Sequence, residues 1–147
     1  MNICFICTGN TCRSPLAEGI LKSKKIPGVV VRSAGVYATD GLPISNHSRS
    51  ILEEHGMPAA PSSRTFTEQD MEWADLVLTM TNSHKDILKR RFVNEASKIH
   101  TLNEYTGTSP YDIQDPYGGD LTSYKQTFEE LSERIDVLAR KLMGEKR

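Results

Sequence analysis

The stretch that decides the fold lies close to the N-terminus and reads Cys7-Thr8-Gly9-Asn10-Thr11-Cys12-Arg13-Ser14. It follows the apolar run Ile3-Cys4-Phe5-Ile6 and precedes a segment whose apolar residues recur at helical spacing, Pro15-Leu16-Ala17-Glu18-Gly19-Ile20-Leu21. The order is therefore a strand, a short polar loop and a helix. Such a loop directs successive backbone N–H groups at one point, and the positive end of the helix reinforces them. The sequence therefore predicts an anion-binding loop at this junction.

The residue types of this loop suit a phosphate. Cys7 is the predicted nucleophile, because a helix N-terminus and the neighbouring Arg13 both favour the thiolate. Arg13 offers a planar fork for two phosphate oxygens. Gly9 allows close backbone approach and unusual dihedral angles, and Asn10 tolerates a left-handed conformation. Ser14, which precedes a proline, is predicted either to cap the helix or to direct its hydroxyl at the Cys7 sulfur. The residues expected to surround the phosphate are Thr8, Gly9, Asn10, Thr11, Cys12, Arg13 and Ser14.

The cysteines also allow other interpretations. Cys4-x-x-Cys7 has the spacing of a thioredoxin-type pair and of half a zinc site. The four histidines are scattered and supply no second ligand pair, so we predict no metal site. On one strand Cys4 and Cys7 point to opposite faces, which makes Cys12 the better partner for a reversible disulfide with Cys7. Alternatively, Cys12 only fills space in the loop.

Length and charge restrict the class of protein. A chain of 147 residues suits a single domain, residues 1–147, with a full core. A net charge of −1, from 18 basic and 19 acidic residues, argues against nucleic acid as a partner. No apolar run reaches the roughly 18 residues that a membrane span needs, and the N-terminus lacks the pattern of a signal peptide. A thiol nucleophile favours the reducing cytoplasm, and we expect a monomer.

Strand-like and helical segments alternate along the chain. The predicted strands are residues 2–6, 29–31, 76–79 and 98–102, and the predicted helices are residues 14–25, 46–55, 67–74, 82–92 and 121–142. This order predicts an α/β fold with three layers, a doubly wound four-stranded parallel sheet carrying helices on both faces. The last helix should bury the stripe Tyr124, Phe128, Leu131, Ile135, Leu138 and Leu142. In such folds the active site lies beyond the carboxyl ends of the strands, where the Cys7 loop begins.

The predicted irregular segment 103–120 holds a second chemical group. Long loops in compact domains are often functional, and this one contains Asp115 and Tyr117. A carboxyl group above the phosphate could protonate the leaving group and later take a proton from the attacking water. Tyr117 could form a wall of the entrance and stack on a flat substrate group. Asp112 is a rival acid that residue types alone do not exclude, and Asp120 is expected to cap the last helix.

The loop as a whole, with Pro15, Ala17 and Glu18 after it, resembles the signature of the low-molecular-weight protein tyrosine phosphatase family. Ser33-Ala34-Gly35, the strand 74–80 and Asp115-Pro116-Tyr117-Gly118-Gly119 agree with it, and the similarity covers essentially the whole chain. The resemblance implies that Cys7 attacks phosphorus, that Arg13 holds the phosphoryl group and that Asp115 is the general acid. It also implies that phosphorylated proteins are the substrates and that no metal or organic cofactor is needed.

Within this family the loop is similar to that of the protein-arginine phosphatase branch of Gram-positive bacteria. Tyrosine-directed members usually carry a bulkier apolar residue at the position of Thr11 and a second aromatic residue next to Tyr117. The resemblance therefore implies that phosphoarginine is the substrate, in contact with Thr11 and Tyr117, and phosphotyrosine is the alternative. Two other classes stay open. A thiol redox enzyme of the arsenate reductase type would use further cysteines after Cys12, and a phosphate-binding module without turnover would leave Asp115 unexplained.

Overall fold

Four parallel strands form the central sheet. The computed structural model describes residues 1–144. The strands are β1 (Asn2–Cys7), β2 (Val30–Gly35), β3 (Leu76–Thr79) and β4 (Ile99–Thr101), and they lie in the order β2-β1-β3-β4. From β1 the chain first adds β2 on one side and later adds β3 on the other. The winding therefore reverses at β1, and the carboxyl ends of β1 and β3 border the crevice in which such sheets bind ligands.

Helices cover both faces of the sheet. They are α1 (Arg13–Ser23), α2 (Asn46–Glu54), α3 (Glu68–Trp73), α4 (Asn82–Arg91), α5 (Leu102–Thr106) and α6 (Leu121–Leu142). Ile3 and Phe5 of β1 pack with buried residues of α1, α2 and α6, whereas Cys4 and Ile6 pack with those of α3 and α4. Alternate residues of β1 thus enter opposite cores, as a strand requires. This confirms the predicted three-layer α/β fold and the opposite orientation of Cys4 and Cys7.

The predicted elements agree with the structure in most of the chain. β3 and α6 have the predicted bounds, and the α6 stripe is buried except at its end, where Leu142 is half-buried. Asp120 caps α6 through a hydrogen bond from the Ser123 N–H (3.0 Å). Among residues 1–144, no helix has both the length and the apolar character that crossing a bilayer requires.

Three local predictions are wrong. β2 continues four residues beyond the predicted strand 29–31, because residues 32–35 pair with residues 4–7 of β1. α1 begins at Arg13 with Cys12 in the cap position, so Ser14 lies inside the helix and does not cap it. The segment predicted to be irregular from residue 103 in fact begins within α5, whose capping box joins Thr101 and Glu104. In addition, a short 3₁₀ helix over Val93–Lys98 precedes β4 and was not predicted.

Candidate active site

The loop after β1 is pressed onto the end of β2. The Val36 N–H donates to the Cys7 carbonyl and the Tyr37 N–H donates to the Thr8 carbonyl, both at 3.0 Å. Gly35 is required beneath the loop, because a Cβ there would lie 2.4 Å from the Thr8 carbonyl oxygen. The left-handed residue of the loop is Asn10 (φ 56°), as predicted. Gly9 has no positive φ.

The side chain of Asn10 organises the loop from inside. Its Oδ1 accepts the Arg64 N–H (2.8 Å), which fixes which side of the amide carries the NH₂ group. The NH₂ group then donates to Ser14 Oγ (2.8 Å) and to Ser33 Oγ (2.9 Å). The Ser33 hydroxyl in turn donates a hydrogen bond to the carboxylate of buried Glu18. Every hydrogen bond in this buried network therefore has a defined direction.

The network directs a proton donor at the Cys7 sulfur. Ser14 Oγ lies 2.9 Å from Cys7 Sγ, and since it accepts from Asn10, its own hydrogen is free to point at the sulfur. The Asn10 N–H also donates to Cys7 Sγ (3.3 Å). Two hydrogen-bond donors therefore lie within reach of this one sulfur. The alternative position predicted for the Ser14 hydroxyl, beside the sulfur, is therefore the one that the fold adopts.

Arg13 joins the loop after β1 to the segment that carries Asp115. Its side chain is buried, Nη1 donates to the Ile113 carbonyl (3.0 Å), and Nη2 lies 3.6 Å from Asp115 Oδ2. Ile113 is itself tied to the end of β3, because its N–H donates to the Met80 carbonyl (3.0 Å). A buried guanidinium with a single nearby carboxylate retains donors for a further anion.

Asp115 and Asp112, the two candidate acids, have different partners in the structure. Asp115 Oδ1 accepts the Tyr117 N–H (3.0 Å), which closes a tight turn, while its other oxygen faces Arg13. Asp112 points elsewhere, and its carboxylate accepts the Asn82 N–H (2.9 Å) at the start of α4. Of the two carboxylates, Asp115 is the one that lines the cavity above Cys7.

That cavity has a volume of about 230 Å³ and is lined by Cys7, Thr8, Gly9, Thr11, Cys12, Arg13, Asp115 and Tyr117. Tyr117 is exposed and stands at its rim, as predicted for a wall of the entrance. A wider groove adjoins the cavity and shares Thr11, Cys12 and Tyr117 with it. Among residues 1–144, no three His, Cys, Asp or Glu side chains converge on a point where a metal ion could bind.

Cys12 has a different environment from Cys7. All three cysteines are unbridged, and Cys12 Sγ lies 3.3 Å from the hydroxyl of Tyr124 on α6. Burial, reinforced by this contact, raises the pKa of Tyr124 to about 12. Tyr124 therefore keeps its proton at neutral pH, and its hydroxyl shares a hydrogen bond with the Cys12 thiol in which either group can donate.

His84 belongs to this site, although no sequence motif indicated it. Its Nε2 lies 2.8 Å from Thr8 Oγ1, and its ring is buried at the start of α4. Burial and the nearby Arg13 guanidinium lower the pKa of His84 to about 4. His84 is therefore neutral near pH 7. A histidine in the sequence Asn82-Ser83-His84 has no motif around it, and only the fold brings it to the phosphate loop, 76 residues away.

Comparisons with known proteins all find similarity to phosphatases. A family model described as low molecular weight phosphotyrosine protein phosphatase matches residues 2–147. A protein-arginine-phosphatase from Geobacillus stearothermophilus is 43% identical over 143 residues, covering 97% of this chain and 97% of that protein. A low molecular weight protein-tyrosine-phosphatase, PtpB of Staphylococcus haemolyticus (strain JCSC1435), is 43% identical over 131 residues, covering 89% and 92%.

A solved structure adds chemical information about a relative. It is YwlE arginine phosphatase, a C7S mutant with a phosphorylated active site serine. Its fold matches this chain with a TM-score of 0.94 at 43% identity, and the match covers 100% of this chain and 99% of that one. In that relative the residue that replaces the active-site cysteine thus carries a phosphoryl group.

Proposed function

This chain belongs to the low molecular weight phosphotyrosine protein phosphatase family, and we propose that it hydrolyses phosphoarginine in proteins through a phosphocysteine intermediate. The observation that carries the proposal is the convergence of Cys7, Arg13 and Asp115 on one cavity, with the Ser14 hydroxyl beside the sulfur. A thiolate, a guanidinium and a carboxyl group are the three components that covalent phosphoryl transfer needs.

The first step forms the phosphocysteine. The Cys7 thiolate attacks phosphorus, the P–N bond to the arginine breaks, and Asp115 donates its proton to the departing nitrogen. Arg13 and the N–H groups of the loop hold the phosphoryl oxygens, whose negative charge is spread in the transition state. The side chain of Asp115 is half exposed, so it can meet a substrate from outside while Arg13 stays buried.

The second step releases phosphate. Water attacks the phosphorus, Asp115 takes a proton from that water, and the S–P bond breaks to return the Cys7 thiolate. Ser14 assists because its hydroxyl hydrogen faces the sulfur that receives the negative charge. The phosphorylated serine in the C7S relative supports attack from this position.

The choice of arginine rests on the relatives and on the wall of the cavity. The arginine phosphatase relative matches 97% of this chain and of its own length. Thr11 presents a small side chain with a hydroxyl, which suits a polar guanidinium better than a phenyl ring. Asp115 can also accept guanidinium N–H groups in a paired geometry. Tyr117 can stack on the flat face of that group.

Phosphotyrosine is the second candidate substrate. The Staphylococcus haemolyticus relative, named a protein-tyrosine-phosphatase, is equally identical to this chain over the shared region. The exposed ring of Tyr117 could stack on a phenyl group as well as on a guanidinium. The reaction steps at Cys7 would be the same, except that a P–O bond would break.

We also propose the setting in which this enzyme works. Residues 1–147 form one domain that acts as a monomer on phosphorylated proteins, without nucleic acid or a membrane as partner. Three reduced cysteines and a thiolate nucleophile fit the cytoplasm. Cys12 is a candidate redox partner of Cys7, since both belong to the same loop.

Phosphoenzyme trapping tests the covalent mechanism. Cys7→Ser should lower kcat by about 10³-fold or more, since a neutral hydroxyl is a poor nucleophile. In the original protein, rapid acid quenching during turnover should recover phosphate bound to Cys7, identified by mass spectrometry of the peptide. Turnover that survives Cys7→Ser would reject the mechanism.

Paired substrates test the specificity. Phosphoarginine and phosphotyrosine peptides of one sequence are compared by kcat/KM in the original protein and in Thr11→Ile. We expect the original protein to prefer phosphoarginine, and we expect Thr11→Ile to shift the preference toward phosphotyrosine because it adds apolar surface and removes a hydroxyl. A preference for phosphotyrosine that Thr11→Ile leaves unchanged would reject the arginine assignment.

A further inference from the structure

Thr8 and His84 form a pair at the edge of the catalytic cavity. Thr8 directly follows Cys7, lines the cavity and is exposed. Its Oγ1 lies 2.8 Å from Nε2 of His84, whose ring is only 4% exposed. A threonine at the cavity wall is thus held by a buried side chain from a different element, α4.

His84 is buried in the first turn of α4, and its backbone is held there. Its backbone N–H donates to Thr81 Oγ1 (3.1 Å) in the first turn of α4. Burial and then the Arg13 guanidinium disfavour an imidazolium and lower the pKa of His84, whereas Asp112 and Asp115 favour the charged ring. The first two effects prevail, so the ring is neutral and carries a single N–H.

The position of that hydrogen follows from the partners available. Nδ1 is buried and has no hydrogen-bond partner among residues 1–144. A hydrogen on Nδ1 would leave a buried donor unpaired, whereas a hydrogen on Nε2 is used in the contact with Thr8. With Nε2–H as the donor, the Thr8 hydroxyl keeps one lone pair and its own hydrogen for the cavity.

We propose that His84 is a positioning residue that orients the Thr8 hydroxyl, and that this hydroxyl accepts a hydrogen bond from the substrate guanidinium and so favours phosphoarginine over phosphotyrosine. This inference rests on the proposed function. The guanidinium of phosphoarginine carries N–H donors next to phosphorus, whereas the bridging oxygen and ring of phosphotyrosine carry none. Of the two substrates, only the first can donate to the lone pair of Thr8, and this additional hydrogen bond raises its affinity relative to the second.

The test measures the ratio of kcat/KM for matched phosphoarginine and phosphotyrosine peptides. Thr8→Val removes the hydroxyl at nearly constant shape, and we expect it to lower this ratio about tenfold, the usual effect of one hydrogen bond to a charged donor. His84→Leu should lower the ratio similarly, while His84→Gln, whose amide can still donate to Thr8, should keep it within about threefold.

A double variant shows whether His84 acts through Thr8. The effect of His84→Leu on the ratio should disappear in the Thr8→Val background, because the hydroxyl that His84 orients is already absent. His100→Gln, at a half-buried histidine on β4, is the matched control and should leave the ratio unchanged. An unchanged ratio in Thr8→Val, or a His84→Leu effect that persists in the double variant, would overturn the inference.

Two further results separate the inference from the proposed function. If the original protein does not prefer phosphoarginine, the proposed substrate is wrong and the inference is overturned with it. If the original protein prefers phosphoarginine and Thr8→Val keeps that preference, only the inference is overturned. ¹⁵N NMR of the imidazole measures which ring nitrogen of His84 carries the hydrogen. A purely structural role for His84 would not require either position. We expect the hydrogen on Nε2 at pH 7, and a hydrogen on Nδ1 would overturn the assignment.

Discussion

Asp112 and Asp115 are three positions apart, yet the fold gives their carboxylates different partners. Asp115 faces the Arg13 guanidinium across 3.6 Å at the wall of the Cys7 cavity, and Asp112 accepts the Asn82 N–H at the start of α4. We expect Asp115→Asn to lower kcat by about 10²–10⁴-fold, because the proton donor for the leaving group is lost. Steady-state kinetics on a phosphoarginine peptide measure this effect.

Asp112→Asn is the matched control, since it makes the same chemical change three residues away. It should keep kcat within about threefold and lower the free energy of unfolding by about 0.5–1 kcal/mol, because a neutral amide is a weaker partner for a helix N-terminus. Equal losses of kcat in the two variants would contradict the assignment of Asp115 as the acid.

The residues that sequence could identify are those whose roles depend on their neighbours in the chain. Cys7, Asn10 and Arg13 lie close together in the chain, between the last residue of β1 and the first of α1, and local spacing was enough to predict their arrangement. The partners of that loop could not be found in this way. Gly35 excludes a Cβ, and His84 fixes Thr8, but both contacts arise only from strand order and helix packing.

Among the helices, α1 is followed, directly after its C-cap Lys24, by a residue in an unfavourable conformation. Lys25 is exposed and has a φ of 51°, which L-residues other than Asn and Asp adopt at a cost of roughly 1–2 kcal/mol. Lys25→Gly should raise the free energy of unfolding by about 0.5 kcal/mol, since the relief exceeds the entropy that glycine loses on folding. Urea unfolding measures the difference.

Lys25→Ala separates the backbone from the side chain. It removes the same charged side chain but retains the Cβ, so its free energy of unfolding should stay close to that of the original protein or fall slightly. If the glycine variant were no more stable than the alanine variant, the conformation of Lys25 would not be a source of strain.

Helices with a full apolar stripe were predictable, and the shortest elements were not. The bounds of α6 were predicted correctly because its apolar residues recur at helical spacing along a helix of 22 residues. α5 has only five residues, so no periodicity develops, and its one local signal is the capping box formed by Thr101 and Glu104. The start of α1 was misplaced because the fold of the phosphate loop brings Arg13 into the first turn.

At the scale of the whole molecule, the site depends on elements that the sheet brings together from distant parts of the chain. The Cys7 loop follows β1, the segment with Asp115 is held by Arg13 and by the end of β3, and His84 comes from α4 on the opposite face from α1. Alternation of strands and helices predicted the layers and the edge at which the site lies. It did not predict which helix would reach the loop, because helix packing depends on side-chain shape.

This arrangement makes the folded state sensitive to moderate acid. The folded pKa of His84 is about 4, below the roughly 6.5 of an unfolded histidine, because burial and then Arg13 disfavour the charged ring. Between these two values the unfolded chain binds more protons than the folded one, so stability is full above about pH 6.5 and is lost as the pH falls toward 4. The loss from this residue is on the order of 3 kcal/mol at pH 4.

Urea unfolding at pH 7, 5.5 and 4.5 tests this dependence, with His84→Gln as the comparison. Glutamine does not titrate, so the variant should lose less stability than the original protein over this interval, and the gap between the two should widen as the pH falls. The carboxylates that face His84, Asp112 and Asp115, are present in both proteins and cancel in the comparison. Parallel curves would mean that His84 is protonated in the folded state, and the neutral ring that orients Thr8 would then not exist in acid.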